Sequence, residues 1–178
     1  MSFSLYNSRA YSTVGGGVIL AVISILLAWQ ITNAASTATV GATVTAQSLS
    51  LSVSPGTITY GSVALNTATT TAGHGYTQTV TNTGSTMVLN VKSTDGTGGT
   101  TWVLDTSNAT LDHYMHEVST TTGSTYMKMP AAGTYITASS TFPTGAVTQA
   151  LEFQLTTPNT SSDFVQKTIT VTLQASAP

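Results

Sequence analysis

The densest group of side chains able to do chemistry is Asp112-His113-Tyr114-Met115-His116-Glu117. On a strand, side chains alternate between faces, so His113, Met115 and Glu117 share one face and Asp112, Tyr114 and His116 the other. The two histidines then point apart, and the cluster reads as a solvated strand face rather than a metal site. His74 lies between Gly73 and Gly75 and reads as a loop residue. Nucleophilic chemistry has no frame: there is no Gly-x-Ser-x-Gly and no Cys, which also removes disulfides and Cys-based zinc sites. With 21 Ser and 3 His, some Ser/His/Asp grouping arises by chance and says nothing without geometry. The loop Gly96–Gly99 lacks the following helix and the Lys that a phosphate cradle uses. The six acids form no recognisable glycosidase pair. A Lys–Asn isopeptide crosslink would need Lys92, Lys128 or Lys167 beside a buried Asn and an acid, and all three lysines fall in or next to predicted strands. The expectation is a chain that is not an enzyme and takes no cofactor and no metal.

Trp102 follows a Gly-rich loop, and its reading is divided between core packing and an exposed platform for stacking on glycans. Asn108 and Asn159 head Asn-x-Ser/Thr sequons, glycosylation candidates in a host with the machinery.

Composition narrows the function classes. Charged residues are 6% of the 178, with Lys+Arg 4 and Asp+Glu 6, whereas Thr is 38 and Ser 21, a third of the chain. Nucleic-acid binding draws on many Lys and Arg to displace phosphate counterions, which excludes it here. Helical bundles need Ala, Glu, Lys and Leu, and Glu is nearly absent here. A weakly charged, Thr-rich β protein remains.

Targeting residues stand at the N-terminus. Val14–Ile31 is an apolar run of 18 with a denser part, Val18–Trp29. A bilayer core takes roughly 20 apolar residues and a signal h-region is shorter. Arg9 precedes the run, and Thr32 and Ala34 follow it in a −3/−1 pattern. Residues 1–34 are therefore read as a signal peptide or an N-terminal membrane anchor. The expected location is extracellular, at the cell surface, reached by the Sec route, with membrane contact only through this segment. A type IV pilin leader cut among Gly15–Gly17 ranks last.

After the targeting segment, alternation of period 2 dominates. Leu49, Leu51 and Val53 alternate with serines up to the Pro55-Gly56 turn, and Ile58 and Tyr60 alternate with Thr57 and Thr59. Further strands are predicted at 76–81, 87–92, 101–105, 113–119, 126–129, 151–156 and 168–173. No amphipathic helix appears. The fold class is all-β: a single antiparallel β-sandwich, Ig-like or jelly-roll-like, over residues 48–178. Residues 35–47 are a linker or an N-terminal strand. There Val40, Ala42, Val44 and Ala46 take one face and Thr39, Gly41, Thr43 and Thr45 the other, so the segment is a candidate strand for donation to another copy.

The stretch DGTGGTTWVL, Asp95–Leu104, resembles the first signature of the WxL cell-wall-binding domain: an acid, a Gly-rich loop, then Trp-x-Leu. KTITVTLQASAP, Lys167–Pro178, resembles that domain's distal signature, with Val171 where the domain has a second Trp. SLSVSPGTITYGSVALN with Thr81–Gly84 also resembles many bacterial Ig-like domains. This likeness implies a secreted sandwich held noncovalently on a cell-envelope polymer such as peptidoglycan. Trp102 and Leu104 would then be wall-contact residues or aromatic anchors. More loosely the chain resembles TasA-like and archaeal thread subunits, which implies partners that are copies of itself and a fibre built by N-terminal strand donation.

Overall fold

The computed structural model describes residues 37–178. The expected signal or anchor at residues 1–34 lies outside the described residues. Residues 37–44 belong to one unit and Thr45–Pro178 form another. Among the described residues no helix is long and apolar enough to cross a membrane.

The second unit is all-β. Its strands are β1 (Leu51–Ser54), β2 (Ala68–Thr70), β3 (Gln78–Asn82), β4 (Met87–Ser93), β5 (Val103–Leu104), β6 (His113–Ser119), β7 (Met127–Lys128), β8 (Ile136–Phe142), β9 (Val147–Thr156) and β10 (Val171–Ser176). The one helical element is a 3-10 turn at Ala72–His74. A seven-stranded sheet runs in the order β1-β3-β9-β6-β5, with β2 on β9 and β7 on β6. A three-stranded sheet runs β10-β4-β8. All pairs are antiparallel except β5 with β6, which is parallel, so the expected antiparallel sandwich is mixed at that edge.

Alternation makes the core. In β4 Met87, Leu89 and Val91 are buried and the residues between them only half-buried, as a strand with one wet face requires. Val80 of β3, Tyr114 and Val118 of β6, Phe142 of β8 and Leu151, Phe153 and Leu155 of β9 complete the cluster. The central strands β6 and β9 are covered on their second face too, since Glu117, Ser119 and Glu152 are also buried. Gly123 of the β6–β7 excursion donates its N–H to Glu152 Oε2 at 2.6 Å, which holds that cover in place.

Asn82 is among the side chains that tie the sheets together. It is fully buried; its Nδ2 donates to Ser85 O (3.0 Å), Phe142 O (3.0 Å) and Pro143 O (2.7 Å), and its Oδ1 accepts from Gly84 N (2.8 Å). The β3–β4 turn is thereby fixed to the end of β8. Gly84 is required for space: a Cβ there would overlap the Ser48 carbonyl and the Ser50 amide as the chain enters β1.

The expected strand at 57–60 is not one. Gly56 and Gly61 both take positive φ (77° and 71°) and bracket the stretch. Gln78 holds it by its side chain instead, accepting from Gly56 N at 2.8 Å and donating to Thr57 O at 2.9 Å. With its backbone held by a side chain rather than a ladder, the stretch is irregular, and Tyr60 turns into the interior.

Candidate functional site

Residues 37–50 carry no strand or helix, and every one of them is exposed. Val40 is 93% and Val44 95% exposed, with Ala42 and Ala46 exposed between and after them. From Ser48 onward the chain is held. Ser85 N–H donates to Ser48 O at 2.7 Å and Thr83 N–H to Ser50 O at 3.1 Å.

The sandwich itself contains an apolar cleft of about 1090 Å³. One wall is β1, through Leu51 and Val53, and the irregular 56–65 stretch, through Ile58 and Tyr60. The other wall is β10, through Val171 and Leu173, with Ile169 before it. Phe153, Leu155 and His116 stand between. Phe164, 84% exposed, and Val165, 54% exposed, also line it.

His116 anchors this cleft. It is 1% exposed, with Nε2 2.8 Å from the Tyr60 hydroxyl and Nδ1 2.8 Å from the Ser93 hydroxyl. In a neutral ring one nitrogen donates and the other accepts, and two hydroxyls complement either tautomer. Phe153, Tyr60 and Tyr114 surround the ring at centroid distances of 5.7, 5.9 and 6.4 Å. Burial without a counter-charge pushes its pKa down to about 3. Burial likewise pushes the Tyr60 and Tyr114 hydroxyls up. The expected solvated face of β6 is therefore overturned. Tyr114 and His116 are core, and Asp112 and Glu117 are buried. Burial raises Glu117 above the usual carboxylate range, with Lys128 opposing it.

The WxL-like residues form a second corner. Trp102 is half-buried, its Nε1–H donates to Ser161 Oγ at 2.9 Å, and its ring lies 6.3 Å from that of Tyr114. Leu104 is 3% exposed and belongs to the core; its amide donates to Asp95 Oδ1 at 2.8 Å. The glycine loop packs on the chain before β10. A Cβ on Gly98, at φ 115°, would overlap Gln166 O. Lys167, whose side chain is 4% exposed, donates to Gly98 O (2.5 Å), Thr100 O (2.6 Å) and Asp163 Oδ1 (2.6 Å), and lies 5.7 Å from the Trp102 ring centroid. The Lys167 bond and the Thr100 N–H hold the Asp163 carboxyl well below the usual range. Asp112 is lowered too, by the Ser162 hydroxyl and amide and by Ser161.

This arrangement explains the Gly-Trp-x-Leu order as packing: Trp102 and Leu104 anchor the corner inward. Trp102→Phe, which loses the indole bond to Ser161, is expected to cost about 1 kcal/mol in urea unfolding. Trp102→Ala is expected to cost about 3 kcal/mol, as removal of a packed aromatic does. Equal stability of all three proteins would contradict the anchoring role.

The remaining predicted residues fall apart in space. His113 Nδ1 meets Asp105 Oδ2 at 3.0 Å and His74 Nε2 meets Thr69 Oγ1 at 2.9 Å. Among the described residues no group of three His, Asp or Glu could hold a metal ion. Lys92 Nζ lies 4.5 Å from the Tyr135 ring centroid and Lys128 donates to Thr106 O at 3.0 Å, so each has a partner other than Asn. Asn108 Nδ2 donates to Asn66 Oδ1 and to Thr157 O, both at 2.9 Å, whereas Asn159 is exposed. Sequence reasoning missed the cleft, because its lining comes from segments more than a hundred residues apart. Comparison of the chain with protein-family models, with curated proteins and with solved structures finds no match.

Proposed function

We propose that the chain is an exported, non-enzymatic structural subunit that assembles with copies of itself into a cell-surface fibre. Each subunit gives its segment 37–47 as a strand to the next. The observation that carries this is the complete exposure of that segment, with Val40 and Val44 more than nine-tenths bare and set at strand spacing. A peptide of this pattern has backbone donors and acceptors to pair and one apolar face to bury. Joining the edge of a neighbour's sheet satisfies both needs. Because donor and receiver are different parts of the chain, the contact is head-to-tail, and repetition without closure yields a filament. Export rests on the apolar run Val14–Ile31.

Removal of residues 36–47 tests the reading. The full protein is expected to form fibres by negative-stain microscopy, and the deleted protein to elute as a monomer in size-exclusion chromatography with its sandwich intact by circular dichroism. Identical monomers in both preparations would end it. Noncovalent binding to peptidoglycan, which the WxL likeness implies, has weaker support, since the Trp102 indole is engaged with Ser161 and Tyr114. Retention of the deleted monomer on purified peptidoglycan, lost in Trp102→Ala, would favour that reading instead.

A further inference from the structure

We propose that the receiving site is the open edge of β10 with the apolar cleft beside it, and that its occupant is segment 38–47 of a second copy of this chain. The inference rests on the self-assembly reading and adds which edge receives the strand.

The two sheets end in β1, β2, β5, β7, β8 and β10, of which β2 and β7 have only three and two residues. β5 has two residues, too few to hold a strand. β8 meets β4 with register shifts between Met87 and Leu89 and between Leu89 and Asn90, and such irregularities twist an edge away from new partners. β1 has four residues and stops at Pro55-Gly56. β10 has six, Val171-Thr-Leu-Gln-Ala-Ser176, in unbroken register with β4 from Val171↔Ser93 to Ser176↔Val88. It carries no charge, no proline and no bulge, so none of the usual devices blunts it.

Its backbone parity suits the donor. Thr94 N–H donates to Thr170 O at 3.1 Å, so pairing alternates from there and Thr172, Gln174 and Ser176 turn their amides to β4. Val171, Leu173 and Ala175 turn theirs to the open side, and these are also the residues packed against the core. In an antiparallel ladder, the donor residues bonding to them must also point their side chains inward. Val40, Ala42, Val44 and Ala46 have that spacing. Their small size fits a cleft in which Ile58 and Tyr60 already stand. Segment 38–47 has no charge, and the cleft's one charged lining residue, Lys167, is already paired with Asp163. In the single chain residues 37–47 are exposed along their whole length, which leaves their apolar face for a second copy.

The chain has no Cys, so engineered pairs are unique. Thr43→Cys is combined in the full chain with Thr172→Cys on β10, Ser52→Cys on β1 or Ser140→Cys on β8, all on the faces turned from the core. Gly41→Cys and Thr45→Cys replace Thr43→Cys to scan the register, and Gln174→Cys replaces Thr172→Cys should the latter melt below the parent. Fibres, scored by microscopy under reduction, are then oxidised with copper phenanthroline and run on a denaturing gel. A covalent ladder with the β10 cysteine and none with the others is expected. A ladder through β1 or β8 instead, or fibres that give no ladder with any pair, overturns the β10 assignment and leaves self-assembly standing. Absence of fibres in the parent protein overturns both.

Discussion

Val44→Asp is expected to abolish fibres while leaving the melting temperature of the single subunit unchanged. Val44 is 95% exposed, so a carboxylate there disturbs nothing in the isolated chain. Seated in a neighbour's cleft, that carboxylate would lose its water, and the cleft's one cation, Lys167, is already paired with Asp163. A buried unpaired charge costs several kcal/mol, more than the 2.7 kcal/mol or so that equals a hundredfold loss of affinity. Val44→Ile, which adds a methylene to the same apolar face, should assemble at least as well as the parent. Sedimentation and microscopy read assembly, and calorimetry reads the fold. Fibres of Val44→Asp equal to those of the parent would rule out burial of this face.

Acid should weaken the sandwich well before its carboxylates protonate. In the unfolded chain an imidazole takes up its proton near pH 6.5; in the fold His116 does so only at about pH 3. Between those values the unfolded state binds one proton more than the folded state. Each unit of acidification then removes about 1.4 kcal/mol of stability. From pH 6.5 to 4.5 the expected loss is about 2.5 kcal/mol, read as the unfolding free energy in urea at a series of pH values. Asp105, Asp112 and Asp163 are held below the usual carboxylate range, so their contributions last down to about pH 4 and vanish only below it. Glu117, raised by burial, acts in the opposite sense just above its unfolded value and flattens the acid end of the slope. His116→Gln, which can still meet Tyr60 and Ser93 but does not titrate, should be less stable at pH 7 and nearly level from 6.5 to 5. A parent curve already level over that range would mean that the buried ring protonates in place.

The fold was legible where alternation was apolar against polar. β4 and β6 fall where Met87–Val91 and His113–Ser119 put them. β8 was missed because its apolar residues, Ile136, Ala138 and Phe142, are thinned out by the run of small polar residues Ser139-Ser140-Thr141. β2, Ala-Thr-Thr, is too short to carry any period. Period 2 also separates faces without saying what covers each. Glu117 and Glu152 point from a face that looks solvated in sequence, and only the excursion through Gly123 buries it. The glycine-rich loop before Trp102 was legible as a loop, but its reason was not. That reason is the close passage of Gln166, nearly seventy residues later. Residues 35–47 read as a linker or a strand; the chain shows 37–47 exposed and without a strand of their own. The cleft was not legible, because Leu51, Tyr60, Phe153 and Leu173 meet only after both sheets have formed.

The two sequons differ in when they are open to a glycosyltransferase. The amide nitrogen of Asn108, the atom a glycan would be joined to, is bonded to Asn66 and Thr157 once that corner closes. Asn159 stays exposed after closure. In a host that glycosylates, a sugar on Asn108 dates its own attachment to before folding, while a sugar on Asn159 carries no date. The ratio of occupancy at the two positions would then serve as a clock for how long the chain lingers before that corner closes.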